Sequence, residues 1–466
     1  MNFDSAPFLF CFLPVLLLLY YLLPGRRAKN VLLLLAGFVF CAAGSLGALA
    51  LLLVFSLINY LFLIAVRRMP GRKLPVAAGV VFDLLFLCFF KYLTFLVSVF
   101  TGGTAPGFSV AAPLGVSFFT FRCISCLIDV YRAPGRGAVR FFDLLLYVSF
   151  FPQLAAGPIA RFPDFEPQLA ERTVTARAAA QGMRRFIVGL GKKLFLSAAA
   201  CRVTDAVFAL DAQSLDFRLA WVGAIAYTLQ IYFDFSGYSD MSIGTGEMLG
   251  FRTAENFDYP YVSHSVTEFW RRWHISLSSW FRDYLYIPLG GNRRGRARTA
   301  LNKFIVFVLC GLWHGAAWNF VLWGAWHGVF TVLESAGAIR AHRAKTAPAR
   351  AAGTVYTLLV VCIGFVMFRA PDVGAGARMI AAMFSAAPTG AYGALALRRI
   401  LTAENLVLLI AACVLCAPVK KCFCRADGTL APAAETASYV LSFCLLALCI
   451  AALASGNFAP FIYFQF

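Results

Sequence analysis

The chain is organised around two segments, FWRRWHISLSSWFRDYLYIPLGGNRRG (Phe269–Gly295) and GLWHGAAWNFVLWGAWHG (Gly311–Gly328). Four of the five histidines lie in these segments or directly ahead of them: His264, His274, His314 and His327. Seven of the eight tryptophans lie there as well. Ionisable and hydrogen-bonding groups are costly at membrane depth, so a cluster of them between apolar flanks indicates a functional site.

The flanking sequence is too apolar for a soluble globular protein. Hydrophobic residues make up 61% of the 466 residues, and the mean hydropathy is +0.76, whereas roughly 45–50% is usual in soluble domains. Several apolar runs are long enough to cross a hydrocarbon core of ~30 Å as helices: Ala6–Pro24, Leu46–Val66, Leu74–Phe100 and Tyr439–Ala454. We predict an all-α polytopic membrane protein with roughly 11–13 membrane helices. The first run has no basic flank, so it is interpreted as a retained helix and not as a cleaved signal.

The formal net charge of +19 comes from basic residues in short loops between apolar runs. The clusters are Arg26/Arg27/Lys29, Arg67/Arg68/Arg72/Lys73, Arg132/Arg136, Arg293/Arg294/Arg296/Arg298, Arg340/Arg343/Lys345 and Lys420/Lys421/Arg425. This distribution is typical of the positive-inside rule and argues against nucleic-acid binding. It predicts an external N-terminus, and it leaves open a second role in attracting an acidic or phosphate-bearing cytoplasmic donor.

Two kinds of catalytic centre are disfavoured by residue spacing. The four clustered histidines are 10, 40 and 13 residues apart, which does not match the spacing of zinc ligands. The CxxC pairs at Cys123/Cys126 and Cys413/Cys416 have no histidine or second pair nearby, so we expect the cysteines to be buried as small hydrophobic residues. The sequence has no GxSxG motif, and the serines near His274 have no evident acidic partner, so a covalent serine enzyme is not expected. We therefore predict neither a metal nor a bound cofactor.

Prolines and glycines predict where the helices break. The segment FFPQLAAGPIARFPDF (Phe150–Phe165) contains three prolines and cannot be one straight helix. Glycines in Phe304–Leu333 allow close helix approach or a bend; they are Gly311, Gly315, Gly324 and Gly328. Residues 251–303 carry charges among bulky aromatic side chains, which predicts re-entrant or buried amphipathic helices.

Several ionisable residues interrupt the apolar runs. Asp83 and Lys91 are eight residues apart, about two helical turns, so both are expected on one inward face in an internal polar contact. Asp234, Ser236 and Asp240 lie too deep in an apolar context to be simply solvated. The segment Gly182–Ala200 is expected to be an amphipathic or tilted helix with a polar margin at Arg184, Arg185, Lys192 and Lys193.

Five motifs and the C-terminal sequence together resemble one family. They are PLGVSFFTFRCISCLIDVYR (113–132), FFPQLAAGPIARF (150–162), YFDFSGYSDMSIG (232–244), EFWRRWHISLSSWFRDYLYIPLGGNRRG (268–295), GLWHG (311–315) and the terminal PFIYFQF (460–466). This combination resembles the membrane-bound O-acyltransferase (MBOAT) superfamily, in particular its bacterial branch of alginate O-acetyltransferases and teichoic acid D-alanyl transfer proteins. The resemblance runs from about residue 80 to the C-terminus.

The resemblance implies a fold and a set of site residues. It implies one membrane domain over residues 1–466, with N-terminal helices in 1–112, a motif-bearing core in 113–336 and C-terminal helices in 337–466. In that family a basin of helices encloses a tunnel through the bilayer. The family's catalytic histidine matches His314, and its second motif histidine matches His274. Supporting or tunnel residues are expected at Trp313, Asn319, Asp234, Ser236, Asp240, Trp270, Arg271, Arg272, Trp273, Arg282 and Asp283. Arg122 and Cys126 depart from the Gln and Tyr that relatives tend to carry, and LFLSAAACRVTD (194–205) matches only loosely, so the resemblance implies the reaction type and not the details of the substrate.

Acyl transfer to a hydroxyl needs a base for the proton and donors for the developing oxyanion. A histidine buried among Trp313, Trp318 and glycines is expected to have a lowered pKa and to be neutral, as a general base must be. His274 is then expected to donate to or orient the reacting groups, with Asn319 as a weaker donor. For His264, His327 and His342, ordinary structural roles are favoured.

The leading hypothesis is an enzyme of the bacterial cytoplasmic membrane that crosses it several times. It would pass an acyl group, with acetyl favoured, from a cytoplasmic acetyl-CoA or acyl carrier protein thioester to an extracytoplasmic polysaccharide. The resemblance also implies an extracytoplasmic SGNH-hydrolase-like or single-span partner. D-alanyl transfer to teichoic acid, a polysaccharide or lipid transporter, and a structural subunit remain as alternatives. The transporter is disfavoured because the two halves show no internal repeat.

Overall fold

The computed structural model describes an all-helical chain over residues 1–102, 110–134, 139–211, 214–341, 346–385, 391–424 and 431–456. Within those ranges there is no β-strand, which confirms the predicted fold class. His342, the terminal 460–466 motif and most of the expected external loop Thr101–Ala112 lie outside the described residues.

Long apolar helices account for several of the predicted membrane runs. By length and composition, four helices in the described part of the chain could each cross a bilayer: Leu46–Arg68, Lys73–Phe100, Ala347–Arg369 and Pro432–Ala454. Shorter apolar helices span Phe8–Leu22, Val373–Met383 and Ala403–Leu415. The number of helices that cross the membrane stays a prediction.

The chain divides into two compact units. The first comprises Met1–Phe186 and Ser239–Ala254, and the second comprises Ile187–Tyr238 and Glu255–Phe466. The long helix Phe217–Met248 contributes residues to both. Further helices with residues in the first unit are Arg26–Ala42, Val116–Arg132, Phe141–Ser149, Phe151–Leu154, Phe162–Glu171 and Ala176–Gly191.

Aromatic packing forms part of the core of the first unit. The ring centres of Phe3 and Phe8 are 4.8 Å apart, and those of Phe12 and Phe151 are 5.2 Å apart in an edge-on arrangement. Phe40 packs against all four of these rings. Edge-on aromatic pairs contribute stabilisation beyond the area they bury, so these rings hold the first helices against the Phe151–Leu154 turn.

The proline-rich segment of the first unit is broken as predicted. A single helical turn, Phe151–Leu154, ends before a non-helical stretch, and the helix Phe162–Glu171 begins after it. The carbonyl oxygen of Pro152 accepts a hydrogen bond from Ser242, and that of Ala160 accepts one from the Tyr147 hydroxyl. Side chains thus satisfy carbonyl groups that have no helical partner where the helix is broken.

The two ionisable residues in the helix Lys73–Phe100 make different polar contacts. Asp83 is buried, and its Oδ1 accepts a 2.8 Å hydrogen bond from Asn59. Lys91 lies within a wider helical turn at Cys88–Tyr92, and its Nζ lies 3.5 Å from the Ser117 hydroxyl. The predicted internal polar contacts are confirmed, with a separate partner for each residue.

The second unit contains the histidine- and tryptophan-rich segments. Its helices and helical turns are Lys192–Ser197, Ala198–Phe208, Pro260–Val262, Val266–Arg272, Ile275–Phe281, Arg282–Tyr286, Gly295–His314, Trp318–Ala336, Ala347–Arg369, Val373–Met383, Ala391–Ile400, Ala403–Leu415, Val419–Phe423 and Pro432–Ala454. One hydrophobic cluster of this unit joins Ala198–Phe208, Phe217–Met248, Ala347–Arg369 and Val373–Met383. The expectation of short amphipathic helices in 251–303 is confirmed, because Trp270 and Leu277 are buried while Arg282 is exposed.

The predicted polar margin of Gly182–Ala200 is wrong at one residue. Lys193 is 4% exposed and forms a 2.7 Å ion pair with the equally buried Asp234. A buried charge of one sign is retained only when an opposite charge lies beside it. The sequence alone did not show that Asp234, some forty residues later, supplies that charge.

The cysteines are free thiols. Seven are buried, as predicted for small hydrophobic residues: Cys41, Cys123, Cys126, Cys310, Cys362, Cys416 and Cys449. The prediction is wrong for four others, which are exposed on the protein surface: Cys11, Cys413, Cys422 and Cys444. An apolar sequence context does not fix which helix face is covered by protein.

Candidate active site

His314 is the last residue of the helix Gly295–His314, which packs against Trp318–Ala336. Two glycines allow the close turn between these two helices. A Cβ on Gly311 would collide with the Phe320 carbonyl group, and one on Gly315 would collide with the Phe320 ring. Close helix approach is confirmed at Gly311 and the predicted bend at Gly315, where the chain reverses after His314, whereas Gly324 and Gly328 lie inside the continuous helix Trp318–Ala336 and do not break it.

Aromatic rings surround the His314 side chain. The ring centre of His314 lies 5.0 Å from that of Trp313, 5.1 Å from Trp323 and 5.3 Å from Phe368. The residue is buried. These rings exclude water from most of the imidazole. The predicted burial beside Trp313 is confirmed, but the part expected of Trp318 is wrong, because Trp318 is 56% exposed.

His274 lies in a strained turn between Val266–Arg272 and Ile275–Phe281. Its φ of +43° and ψ of 54° are in the left-handed region. Tyr259 is the other non-glycine residue with a positive φ in the described part of the chain. Such a conformation costs roughly 1–3 kcal/mol and persists only where surrounding contacts enforce it.

Asn256 supplies the contacts that enforce the turn. Its backbone carbonyl accepts a 2.9 Å hydrogen bond from the Ile275 amide. Its side-chain Oδ1 accepts from the Ser276 amide at 3.2 Å and from the Ser276 hydroxyl at 2.9 Å. The same oxygen lies 3.2 Å from Nδ1 of His274. The first amides of the helix Ile275–Phe281 are therefore satisfied by a residue from a distant segment.

The His274 ring is enclosed on its other sides. It packs edge-on against Phe235, with ring centres 4.6 Å apart, and lies 6.1 Å from Trp313. Its Nε2 has no hydrogen-bond partner among the described residues. His274 lies outside the four long apolar helices, and burial lowers its pKa to about 3. The ring is therefore neutral at physiological pH.

His327 is fully buried on the helix Trp318–Ala336. The indole N–H of Trp270 points at its Nδ1, with the two nitrogens 3.4 Å apart. Its Nε2 has no partner within the described ranges. A Cβ on Gly364 would come within 2.8 Å of that Nε2, so the glycine leaves room beside it.

The three buried histidines belong to one continuous series of aromatic rings. Trp313 lies between His274 and His314. The Trp323 ring centre lies 5.1 Å from those of both His314 and His327. Side chains that are far apart in sequence therefore form one aromatic layer in the second unit.

A buried carboxylate anchors the helix Val266–Arg272. Glu334 accepts hydrogen bonds from the Val266 amide at 2.7 Å and from the Thr267 amide at 2.9 Å. Ser265 caps the same helix by accepting from the Glu268 amide at 3.1 Å. Negative charge at a helix N-terminus is stabilising, so Glu334 fixes the short helix that carries Trp270.

The other predicted site residues are distributed as follows. Asn319 is buried, and its Nδ2 donates a 2.9 Å hydrogen bond to the Ala370 carbonyl. Asp234 is paired with Lys193, and Ser236 is buried two residues further on. Asp240 belongs to the first unit, where it forms a 3.0 Å ion pair with Arg185.

The charged residues of the 268–295 motif lie at the edge of the site. Arg271 is exposed, and Arg282 is 61% exposed and pairs with its neighbour Asp283. Arg272 pairs with Glu268 and Asp258. The two tryptophans of the motif that were predicted as site residues, Trp270 and Trp273, are buried.

His264 has a hydrogen-bonded side chain, because its Nδ1 lies 2.8 Å from the Thr354 hydroxyl. This geometry agrees with the structural role expected for it. Among the residues described, no three His, Cys, Asp or Glu side chains lie close enough together to hold a metal ion.

Sequence reasoning missed Asn256, Glu334 and Lys193. The Ser265–Glu268 spacing is a capping signal and could have located the start of the helix Val266–Arg272. Nothing in the local sequence identifies Asn256 as the partner of a histidine 18 residues later.

Comparison with known proteins bears on the same residues. Residues 132–370 match the MBOAT, membrane-bound O-acyltransferase family. A protein of Azotobacter vinelandii named "Probable alginate O-acetylase AlgI" is 41% identical over 514 aligned positions, which cover 100% of each chain. The peptidoglycan O-acetyltransferase of Helicobacter pylori (strain ATCC 700392 / 26695) is 35% identical over 357 positions, covering 68% of this chain and 67% of that protein. The teichoic acid D-alanyltransferase of Bacillus subtilis (strain 168) is 24% identical over 280 positions, covering 56% and 70%.

Proposed function

The chain belongs to the membrane-bound O-acyltransferase family, and we propose that it transfers an acetyl group from a cytoplasmic thioester to a hydroxyl of an extracytoplasmic polysaccharide. The chain is a membrane protein and an O-acyltransferase. The observation that carries the finer proposal is the 41% identity over the whole chain to a protein named for alginate O-acetylation.

Acetyl is favoured over D-alanyl as the transferred group. Two relatives named for O-acetylation are 41% and 35% identical over 514 and 357 positions, whereas two D-alanyltransferases are 24% and 30% identical over shorter alignments of 280 and 227 positions. All four relatives are named for a polymeric acceptor, which supports a polymer as the acceptor here. D-alanyl transfer from a carrier protein is the second candidate, and mass spectrometry of the modified polymer distinguishes the two groups.

In the proposed reaction the acceptor hydroxyl attacks the thioester carbonyl carbon. The new ester C–O bond forms, the C–S bond breaks, and the hydroxyl proton is taken up by a base. We assign that role to His314, which is buried among the rings of Trp313, Trp323 and Phe368. The thiolate released, with a pKa of ~8.5, needs little assistance to leave. Acetyl-CoA and an acyl carrier protein are both suitable donors.

The remaining predicted residues take supporting roles in this proposal. Asn319 is the candidate donor to the developing oxyanion, because it is buried near the start of Trp318–Ala336. Trp270, Trp273 and Trp313 would exclude water from the reacting groups, which strengthens their electrostatic interactions. The ion pair of Asp234 with Lys193 would stabilise the helix that carries Ser236.

The proposed location is the bacterial cytoplasmic membrane, crossed several times. We also propose an extracytoplasmic partner, either an SGNH-hydrolase-like protein or a single-span protein. An acyl group delivered across a bilayer must still be aligned with a repeating sugar hydroxyl, and the long apolar helices offer no surface suited to a polysaccharide.

The role of His314 is tested in a producing strain whose own copy carries His314→Ala. We expect polymer O-acetylation to be lost while polymer export and the amount of membrane-inserted protein are unchanged. His264→Ala is the matched control, because the side chain of that histidine is hydrogen-bonded to Thr354 outside the aromatic layer. Normal acetylation by a well-expressed His314→Ala protein would remove His314 from the mechanism, and lost export would favour a transporter.

The partner is tested by reconstitution. The purified protein in vesicles, given acetyl-CoA and polymer alone, should modify little polymer, and adding solubilised membranes from the producing strain should restore modification. Full-rate acetylation in the minimal system would show a self-sufficient transferase.

A further inference from the structure

The hydrogen bonds around Asn256 fix the orientation of its amide. Oδ1 accepts from the Ser276 backbone amide, and a backbone N–H can only donate. An inverted amide would place two donors against each other, so the oxygen faces His274. This assignment does not rest on the His274 contact itself.

The oxygen of Asn256 in turn fixes the tautomer of His274. Nδ1 lies 3.2 Å from that oxygen, so Nδ1 must carry the proton and donate it. A neutral imidazole has one N–H and one bare nitrogen. Nε2 of His274 is therefore the bare nitrogen, a hydrogen-bond acceptor with no partner among the described residues.

Leaving a buried acceptor without a donor costs roughly 1–3 kcal/mol. The left-handed backbone at His274 adds to the cost of the arrangement. Native structures retain such costs mainly where a ligand or a reaction uses the group. Both costs fall on His274, whose ring belongs to the aromatic layer that contains His314.

We propose that Nε2 of His274 accepts a hydrogen bond from a second hydroxyl of the sugar acceptor, beside the reacting hydroxyl whose proton passes to His314, and that Asn256 is the positioning residue that holds His274 in this tautomer. The proposal rests on the O-acyltransferase function proposed above. It reverses the donor role expected for His274 from the sequence. A thioester carbonyl has no polar hydrogen, so a bare Nε2 suits the substrate that carries the O–H.

The charges around His274 make a pH test possible. Among the described residues, the side chains in ring or hydrogen-bond contact with it carry no charge: Phe235, Asn256 and Trp313. The titratable group nearest along the ring series is His314, beyond Trp313. An Asn256→Asp carboxylate would keep the acceptor and the tautomer but would raise the pKa of His274 by favouring the imidazolium. Because the imidazolium has no bare nitrogen, activity should be lost at a higher pH than in the wild type.

The experiment measures transfer of labelled acetyl from acetyl-CoA to polymer in membrane vesicles of the producing strain, as a function of pH. We expect Asn256→Asp to move the acid limb of the profile upward by about one pH unit or more. Asn256→Leu removes the acceptor without adding charge, and it should lower transfer about 10- to 100-fold with the acid limb unmoved. A role of Asn256 limited to capping Ile275–Phe281 would reduce the amount of folded protein in both variants without moving the limb.

A second measurement does not depend on catalysis. Solid-state NMR of the full chain with ¹⁵N-labelled histidine in lipid bilayers reports which ring nitrogen carries the proton, and His274→Asn identifies the His274 signal. We expect a protonated Nδ1 and a bare Nε2. A protonated Nε2, or an unchanged pH profile in Asn256→Asp, would overturn the proposal. Wild-type vesicles without acetyl transfer would instead contradict the proposed function, and the NMR result would still decide the tautomer.

Discussion

His274 and His327 are both buried histidines of the second unit, but their neighbours hold them in opposite tautomers. At His274 the partner is the Asn256 oxygen, an acceptor, so the proton is on Nδ1. At His327 the partner is the Trp270 indole N–H, which can only donate, so Nδ1 is bare and the proton is on Nε2. His274 therefore offers an acceptor and His327 offers a donor, each without a partner in the described part of the structure.

The difference shows that burial alone does not define the chemistry of a histidine. Both rings are enclosed by aromatic side chains. The role of each ring is decided by one polar neighbour, which comes from another segment of the chain. The backbone adds a second difference, because His274 is in the left-handed region whereas His327 is inside a regular helix.

The largest expected effect is on the acceptor side of this comparison. His274→Asn should lower acyl transfer by about 10²–10³-fold, because the bare nitrogen is lost. Asparagine tolerates the left-handed backbone better than most residues, so the amount of folded protein should be close to that of the wild type. Labelled acetyl transfer normalised to folded protein measures the change.

The control for that measurement is His264→Ala, which removes a histidine of the same unit that is bonded to Thr354. It should leave acyl transfer within a small factor of the wild type. Wild-type activity in His274→Asn would reduce the 268–295 motif to a structural scaffold.

A smaller effect is expected on the donor side, and mainly on stability. His327→Leu leaves the Trp270 N–H without its acceptor, which should lower the free energy of unfolding by about 1–3 kcal/mol. Thermal unfolding of the detergent-solubilised protein measures it. Because the two residues share one hydrogen bond, Trp270→Phe combined with His327→Leu should cost less than the sum of the single changes. Additive effects would show that this hydrogen bond contributes nothing.

The effect expected to be smallest near neutral pH is a pH dependence of stability from His274. Burial lowers its folded-state pKa to about 3, below the value of ~6.5 in an unfolded chain. Between these values the unfolded state binds the additional proton, so stability falls as pH decreases from about 6.5 towards 3. The contribution is at most about 1.4 kcal/mol per pH unit. Unfolding temperatures from pH 7 to pH 5 should fall more steeply for the wild type than for His274→Asn; equal slopes would contradict the assignment.

Part of the structure follows from local sequence. The prolines of Phe150–Phe165 break the helix wherever it packs, because the ring removes a donor and clashes with the preceding turn. Gly311 and Gly315 allow the chain to reverse after His314, because a Cβ at either position would collide with Phe320. The apolar runs fix the membrane class through their length and apolar composition.

The sequence by itself determined the all-helical membrane class, the family, a bend among the glycines of Phe304–Leu333 and the choice of His274 and His314 as candidates. Only the tertiary structure decided that Lys193 pairs with Asp234, that Glu334 anchors the helix Val266–Arg272 and that Asn256 orients His274. The features determined by sequence depend on the conformational limits of single residues and on the hydrophobicity of continuous segments. The features decided by tertiary structure depend on which polar atoms come together when distant segments pack. For His274, the hydrogen bond to Asn256 sets which ring nitrogen carries the proton.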